Sequence, residues 1–195
     1  MMKLSVPFLF FFFVASNLFS QKSGFIGYGL EDGLPQSQVR AITQDSQGYL
    51  WIGTMAGLSR FDGVEFKNFS KKDGLPDNQI NCFYTGSELF VGTTGALCFI
   101  RGQEISSISF PEAFKTSRVL DFSESEDGTL YMATDGEGVL IRDGNKFRAY
   151  TMRDGLPDNY VRSIAHDNEG RLWIGTRSGI VIKELSGRIH TPTDS

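Results

Sequence analysis

From residue 39 onward, apolar runs of four or five residues, rich in β-branched and aromatic side chains, alternate with polar, Gly-containing stretches. No segment sustains a 3.6-residue period, so the pattern predicts strands joined by turns rather than helices. The runs recur. Leu50-Trp51-Ile52-Gly53-Thr54 returns as Leu89-Phe90-Val91-Gly92-Thr93, Leu130-Tyr131-Met132-Ala133-Thr134 and Leu172-Trp173-Ile174-Gly175-Thr176, at spacings of 39, 41 and 42 residues. Asp32-Gly33-Leu34-Pro35 returns at Asp73 and Asp154, 41 and then 81 residues on. A repeat of about 41 residues therefore fills most of the chain in four copies.

Each copy reads as four strands. First strands are expected at Val39 to Thr43, Ile80 to Tyr84, Val119 to Ser123 and Val161 to Ala165. The Leu-Trp-Ile-Gly-Thr segments form the second. Third strands fall at Leu58 to Phe61, Leu97 to Ile100, Val139 to Arg142 and Ile180 to Lys183. Fourth strands carry paired apolar residues, Phe66 with Phe69, Ile105 with Ile108 and Phe147 with Tyr150, and the last copy has only a truncated candidate near Ile189. Asp45 to Gly48 and Asp167 to Gly170 place Asp first and Gly last, as four-residue turns prefer. Val39 and Ile42, like Val161 and Ile164, lie three apart, which on a regular strand puts them on opposite faces and implies that both faces are buried. One aromatic per copy (Trp51, Phe90, Tyr131, Trp173) is expected to fill the space between neighbouring units. The fold class is therefore all-β: a β-propeller of about four four-stranded blades, near 32–72, 73–110, 111–153 and 154–191.

Residues 1–20 read differently. Lys3 precedes an apolar run from Leu4 to Phe19, about the length of a signal-peptide core and short for a membrane span. Ser16 and Ser20 offer cleavage sites, and the bond before Gln21 is preferred because polarity changes there. A retained anchor is the alternative. Residues 21–195 hold the repeats, and no later apolar stretch is long enough to cross a bilayer. The expected location is exported, periplasmic or otherwise extracytoplasmic.

Composition narrows the chemistry. A formal charge of −4 argues against nucleic acid as a partner, since phosphate binding needs a basic surface. Two Cys and two His far apart supply neither a four-ligand zinc set nor a disulfide framework. There is no Gly-x-Ser-x-Gly elbow, phosphate loop or His-Glu-x-x-His pair. His166 reads as a solvated turn residue and His190 as part of a frayed end. Asp135-Gly136-Glu137-Gly138 lacks the ligand set of a calcium loop and reads as a polar turn. Cys82 and Cys98 fall on first and third strands of one blade, about 9–10 Å apart at the usual strand spacing, and are expected as separate thiols. No catalytic residue, metal site or cofactor is assigned.

The pattern Asp-Gly-Leu-Pro, Val-x-x-Ile, Asp-x-x-Gly-x-Leu-Trp-Ile-Gly-Thr and Gly-Leu-x-Arg-Phe-Asp-Gly resembles the two-component regulator propeller repeat. It runs from Asp32 through Val39, Trp51 and Arg60 to Gly63, and nearly as closely from Asp154 to Ile182. The second copy departs by a shorter first turn and by Phe90 in place of Trp. The third replaces Asp-Gly-Leu-Pro with Phe110 to Ser117. The resemblance implies the extracytoplasmic sensor part of bacterial histidine kinases or hybrid regulators, often seven-bladed, and the start of the chain is similar to exported proteins of Bacteroidetes-type bacteria. A closed ring of four blades, sealed by Phe25 to Tyr28 as a fourth strand exchanged onto the last blade, is one architecture. An N-terminal part of a larger seven-bladed propeller, with an open blade face, is the reading adopted.

In a four-stranded meander the fourth-to-first and second-to-third turns emerge on one side. That face collects Asn78, Asn159, Asp135 and Arg177. Arg40, Asn81 and Arg162 lie on innermost strands, where they would line the axial channel. These seven are the candidate ligand contacts. The resemblance implies a carbohydrate or other small ligand, bound without chemistry and read out by a kinase absent from this chain. Two alternatives stay open: an envelope-assembly propeller that binds a protein partner or itself through the open blade face, and a propeller lyase.

Overall fold

A computed structural model describes residues 24–192, apart from 87 and 103. The leader expected over residues 1–20 lies outside the described residues. Sixteen strands are found among those described. β1 (Val39–Gln44), β2 (Leu50–Thr54), β3 (Leu58–Phe61) and β4 (Phe66–Phe69) pair in chain order as the first antiparallel sheet. β5 (Cys82–Thr85), β6 (Leu89–Gly92), β7 (Ala96–Arg101) and β8 (Glu104–Ser109) form the second. The third holds β9 (Val119–Glu124), β10 (Leu130–Thr134), β11 (Val139–Asp143) and β12 (Lys146–Tyr150). β13 (Val161–His166), β14 (Leu172–Thr176), β15 (Gly179–Lys183) and the two-residue β16 (Ile189–His190) make the fourth. Strands β1, β5, β9 and β13 contact one another in turn. They are the inner strands of four stacked blades, a β-propeller arrangement.

The repeated motifs act through identifiable contacts. Before each Asp-Gly-Leu-Pro the chain makes one 3₁₀ turn (Leu30–Asp32, Lys71–Asp73, Met152–Asp154). The Asp carboxylate reaches back to accept the backbone N–H of Gly29, Ser70 or Thr151 at 2.7, 2.8 and 2.9 Å. The Gly then takes a left-handed φ of 107, 100 or 106°, a region closed to most side chains. This reversal drops Leu34, Leu75 or Leu156 into the interior. In Leu-Trp-Ile-Gly-Thr, the threonine hydroxyl pins the following turn: Thr54 Oγ1 donates to Gly57 O at 2.8 Å and Thr176 Oγ1 to Gly179 O at 2.8 Å. The tryptophan indole N–H donates to the turn aspartate, Trp51 to Asp45 at 2.7 Å and Trp173 to Asp167 at 2.8 Å.

The core lies in the seams between blades. Trp51, Leu58 and Phe69 of the first blade meet Leu75, Ile80 and Val91 of the second. Phe90 and Leu97 meet Val119, Phe122 and Met132 across the next seam, and Tyr131, Val139 and Ile141 meet Val161, Ile164 and Ile174 across the third. Each fully buried aliphatic side chain contributes about 1.5–3 kcal/mol. Every blade therefore has a leading face, carrying Ile52, Val91, Met132 or Ile174 of the second strand, and a trailing face, carrying the aromatic.

Val161 and Ile164 correct the expectation that such pairs point to opposite faces. A β-bulge between Val161 and Ser163 inserts one residue, and both side chains join the seam with the third blade. The same bulge lies between Val39 and Ala41. In the first blade that shared face has no preceding blade, and Val39 and Ile42 stand 45% and 63% exposed. At the other end Trp173 is only half-buried and Ile180 is 53% exposed. Among the described residues no core cluster joins the fourth blade to the first, so the array they form is open, as suits part of a larger propeller.

Four further readings of the sequence differ from the structure, the first of them part of the closed-ring alternative. Residues 25–28 form no strand: Phe25 and Ile26 are 91% and 78% exposed, and Tyr28 packs on Phe61 and Phe66 of the first blade at 5.0 and 5.6 Å between ring centroids. The fourth blade takes β16 as its outer strand instead. The second blade's inner strand starts at Cys82 rather than Ile80, and the Ile80 N–H donates across the seam to Thr54 O at 2.9 Å. His166 is not a solvated turn residue, and His190 is not frayed: it pairs with Ile182 in the ladder and its Nε2 lies 2.8 Å from Glu184.

Candidate functional site

The bulge sets one residue of the inner strand apart from its ladder. Arg40, Leu120 and Arg162 are the inserted residues in three of the four blades, displaced from the ladder and held in neither seam. The second blade has Asn81 at this place, just before β5. Arg40 Nη1 donates to Asn81 Oδ1 at 3.0 Å, so two of the expected residues meet directly on adjacent inner strands. The Asn81 amide nitrogen is enclosed and has no protein partner. Arg162 is exposed on β13.

Asn78 and Asn159 are tied into the scaffold. Asn78 Oδ1 accepts the Lys71 N–H and Asn159 Oδ1 the Met152 N–H, both at 2.8 Å. Each side chain thereby braces the first residue of a 3₁₀ turn. Asp135 and Arg177 converge instead on Tyr160, which the sequence reading passed over. Asp135 and Tyr160 form an isolated bridge between the third and fourth blades. The Arg177 guanidinium lies 4.5 Å above the tyrosine ring and 3.1 Å from Asp158 Oδ2, which also accepts from Ser178 Oγ at 3.0 Å. Arg118 pairs with Asp135 at 2.7 Å on the other side.

These groups make a strip across one end of the blades: Arg118, Asp135, Tyr160, Arg177, Asp158. The backbone builds it. The Arg177 N–H donates to Tyr160 O at 2.9 Å and the Gly138 N–H to Asn159 O at 2.9 Å, which fixes the loops relative to each other. Gly136, with φ of 111° and no side chain, leaves room beside the phenol. The Tyr160 N–H, then Ser178 and Arg177, hold the Asp158 carboxyl below the usual carboxylate range. A depression of about 390 Å³ lined by Glu137, Met152, Arg153 and Asn159 adjoins the strip. A signal for Tyr160 did exist: it follows Asn159 in a loop and matches no apolar position in the other copies.

The opposite end of the blades is acidic. Glu124, Glu126, Asp127, Asp167 and Glu169 surround a depression of about 380 Å³ that includes His166. His166 Nδ1 lies 2.8 Å from Ser123 Oγ, and its ring meets Tyr131 edge-on at 5.0 Å. Partial burial, then Lys183, pushes its pKa below the ordinary value. Ser123 also accepts the His166 backbone N–H at 3.1 Å, so the pair joins two blades. Thr43 and Thr85 make the matching contact between the first and second blades at 3.2 Å. Among the described residues no group of three His, Cys, Asp or Glu side chains is placed to hold a metal ion. Cys98 on β7 is buried, which pushes its thiol up to about 12, and β6 separates it from Cys82.

Comparison with known proteins agrees with this architecture. Residues 33–56 and 155–178 match the two component regulator propeller family. A stretch of 61 residues is 46% identical to Histidine kinase P4 of Formosa agariphila, covering 30% of this chain and 4% of the kinase. Among solved structures, the extracellular domain assigned to a hybrid two component system of B. thetaiotaomicron superposes with a TM-score of 0.76 at 24% identity. It covers 87% of this chain and 26% of that one. Virginiamycin B lyase from Staphylococcus aureus superposes with a TM-score of 0.62 at 16% identity, over 81% of this chain and 56% of the lyase. The chain thus carries two component regulator propeller repeats on a propeller fold, and spans a small part of these two signalling proteins.

Proposed function

We propose that the chain is the ligand-recognising part of an extracytoplasmic sensor propeller, exported from the cytoplasm, and that its ligand is a carbohydrate fragment. The observation that carries the reading is the strip around Tyr160. A partly exposed aromatic ring, with the Arg177 guanidinium over one face and the Arg118–Asp135 and Arg177–Asp158 pairs in the same strip, suits a ligand with an apolar ring face and a rim of hydroxyls. The loops that hold these groups come from two blades, so a ligand seated there bears on the seam between them. Arg40, Asn81 and Arg162 extend the polar surface along the inner strands.

Binding rather than chemistry is favoured by the placement of His166. Its ring is engaged by Ser123 and Tyr131 at the end of the blades opposite Tyr160. A general acid or base has to reach the bound ligand's reacting atom. The 61-residue stretch that is 46% identical to a histidine kinase supports a signalling role.

Isothermal titration of the protein against a panel of neutral and acidic oligosaccharides tests this. One class should bind, and Tyr160→Ala should weaken it by about tenfold or more, as for a central aromatic contact. Undiminished binding by Tyr160→Ala, or no binding across the panel with the fold intact by circular dichroism, refutes the assignment.

A further inference from the structure

The loop frame that presents Tyr160 recurs one blade earlier. Across the seam of the third and fourth blades, the Gly138 N–H donates to Asn159 O at 2.9 Å, and Asp135 forms its isolated bridge with Tyr160. Across the seam of the second and third, the Gly95 N–H donates to Ser117 O at 2.9 Å, and Thr94 forms the same bridge with Arg118. The match continues within each blade: the Arg177 N–H donates to Tyr160 O at 2.9 Å, and the Asp135 N–H to Arg118 O at 3.1 Å. Arg118 therefore stands where Tyr160 stands, Asp135 where Arg177 stands, and Thr94 where Asp135 stands. The two frames share the 2.7 Å Arg118–Asp135 pair and so form one continuous arc over three blades. In the second blade Gln79 holds the matching place, two residues after Asp77 as Tyr160 is two after Asp158.

Charges along the arc are matched. Asp135 faces Arg118 at 2.7 Å and Asp158 faces Arg177 at 3.1 Å. Gln79 and Thr94 are uncharged and half-buried, and among the described residues neither side chain has a hydrogen-bond partner. Arg177 engages its carboxylate through Nε and Arg118 through one terminal nitrogen, which leaves other N–H groups of both to donate elsewhere. A sugar hydroxyl both donates and accepts, so it can use these N–H groups and the spare lone pairs of the carboxylates without parting either pair. An anionic group offers acceptors alone. Beside each guanidinium of the arc it meets a carboxylate, on a chain whose formal charge is −4.

We propose that the ligand is a neutral oligosaccharide of several units, laid along the arc with one ring against Tyr160 and later units over Arg118, Thr94 and Gln79. This rests on the Tyr160 assignment and adds to it a charge class and a direction. A frame repeated on successive blades holds its side chains at a fixed step, which suits a ligand that is itself a chain of repeating units. A single ring on Tyr160 engages the first frame only. Further units reach the second, and once the first ring is seated their binding is intramolecular.

Isothermal titration of the full chain tests this with mono-, di- and hexasaccharides of glucose, mannose and xylose, and with hexagalacturonate as the acidic probe of equal length. One neutral hexasaccharide should bind at least about tenfold more tightly than its disaccharide, with little dependence on salt. Gln79→Ala combined with Thr94→Val should cost that hexasaccharide about tenfold and leave the disaccharide unchanged, since each change removes about one hydrogen bond. Tyr160→Ala separates this inference from the assignment beneath it. Binding unchanged in Tyr160→Ala, or no binding across the panel, takes down both. Tyr160-dependent binding that favours hexagalacturonate, or that weakens steeply with salt, overturns the neutral class and leaves the site standing. A disaccharide bound as tightly as its hexasaccharide, or a double variant that costs nothing, overturns the second frame in the same way.

Discussion

Gly53 shows how one residue carries a constraint set by another blade. Its backbone has ordinary extended geometry, so flexibility is not the reason for glycine. The reason is Ile80, fully buried, whose Cβ and Cγ2 would lie 3.0 and 2.5 Å from an added methyl group. Gly53→Ala should therefore destabilise the protein by about 1–3 kcal/mol, the usual cost of overpacking, measured by urea denaturation. Gly63→Ala is a useful contrast: nothing lies within 4 Å of its added methyl, and its cost comes from φ of 100° alone. The recurrence of the Leu-Trp-Ile-Gly-Thr segment was legible in the sequence, but only the tertiary contact identifies what Gly53 avoids. Tyr160 is the reverse case. Its neighbours Asp158 and Asn159 were readable as turn residues, whereas its meeting with Asp135 and Arg177 depends on two loops far apart in sequence.

Between elements, the seam of β9 with β13 holds two titratable groups with opposite tendencies. Asp121 Oδ2 accepts the Ile164 N–H at 3.0 Å, and burial pushes its pKa above the ordinary 3.8. His166, bonded to Ser123, is pushed below 6.5 by burial and then by Lys183. A histidine with a depressed folded pKa takes up fewer protons folded than unfolded. Its contribution to stability is thus intact above 6.5 and is lost as pH falls toward the folded value. For Asp121 the sign reverses: the folded state holds its proton more tightly, so stability falls as pH rises above 3.8 through the raised pKa. Urea midpoints taken from pH 4 to 8 should drop on acidification below 6.5, and His166→Gln should flatten that limb. A midpoint that drops as steeply in His166→Gln would assign the limb to other groups. The strands of this seam were readable from Val119 and Val161. The bulge that turns Ile164 toward Asp121 was not, because a three-residue apolar spacing fits either a regular strand or a bulged one.

Over the whole molecule, stability follows a line of neighbours. The second and third blades are covered on both faces, and the first and fourth on one. In dilute solution, backbone hydrogen exchange should be slowest in β6 and β10 and fastest in β1, β15 and β16. Uniform protection across all sixteen strands at low concentration would contradict an open array. The four-blade plan, strand order and turns were all readable, because each blade is a local meander whose periodic residues repeat on schedule. The sequence by itself determined the blades: alternating apolar runs, Asp-Gly-Leu-Pro reversals and one aromatic per unit specify them through contacts short in sequence. Only the tertiary structure decided that the ends do not meet, which faces remain open, and which polar loops converge at Tyr160. Those outcomes rest on bulge direction, on the angle between stacked sheets and on contacts about forty residues apart, quantities that no repeat writes into its own residues.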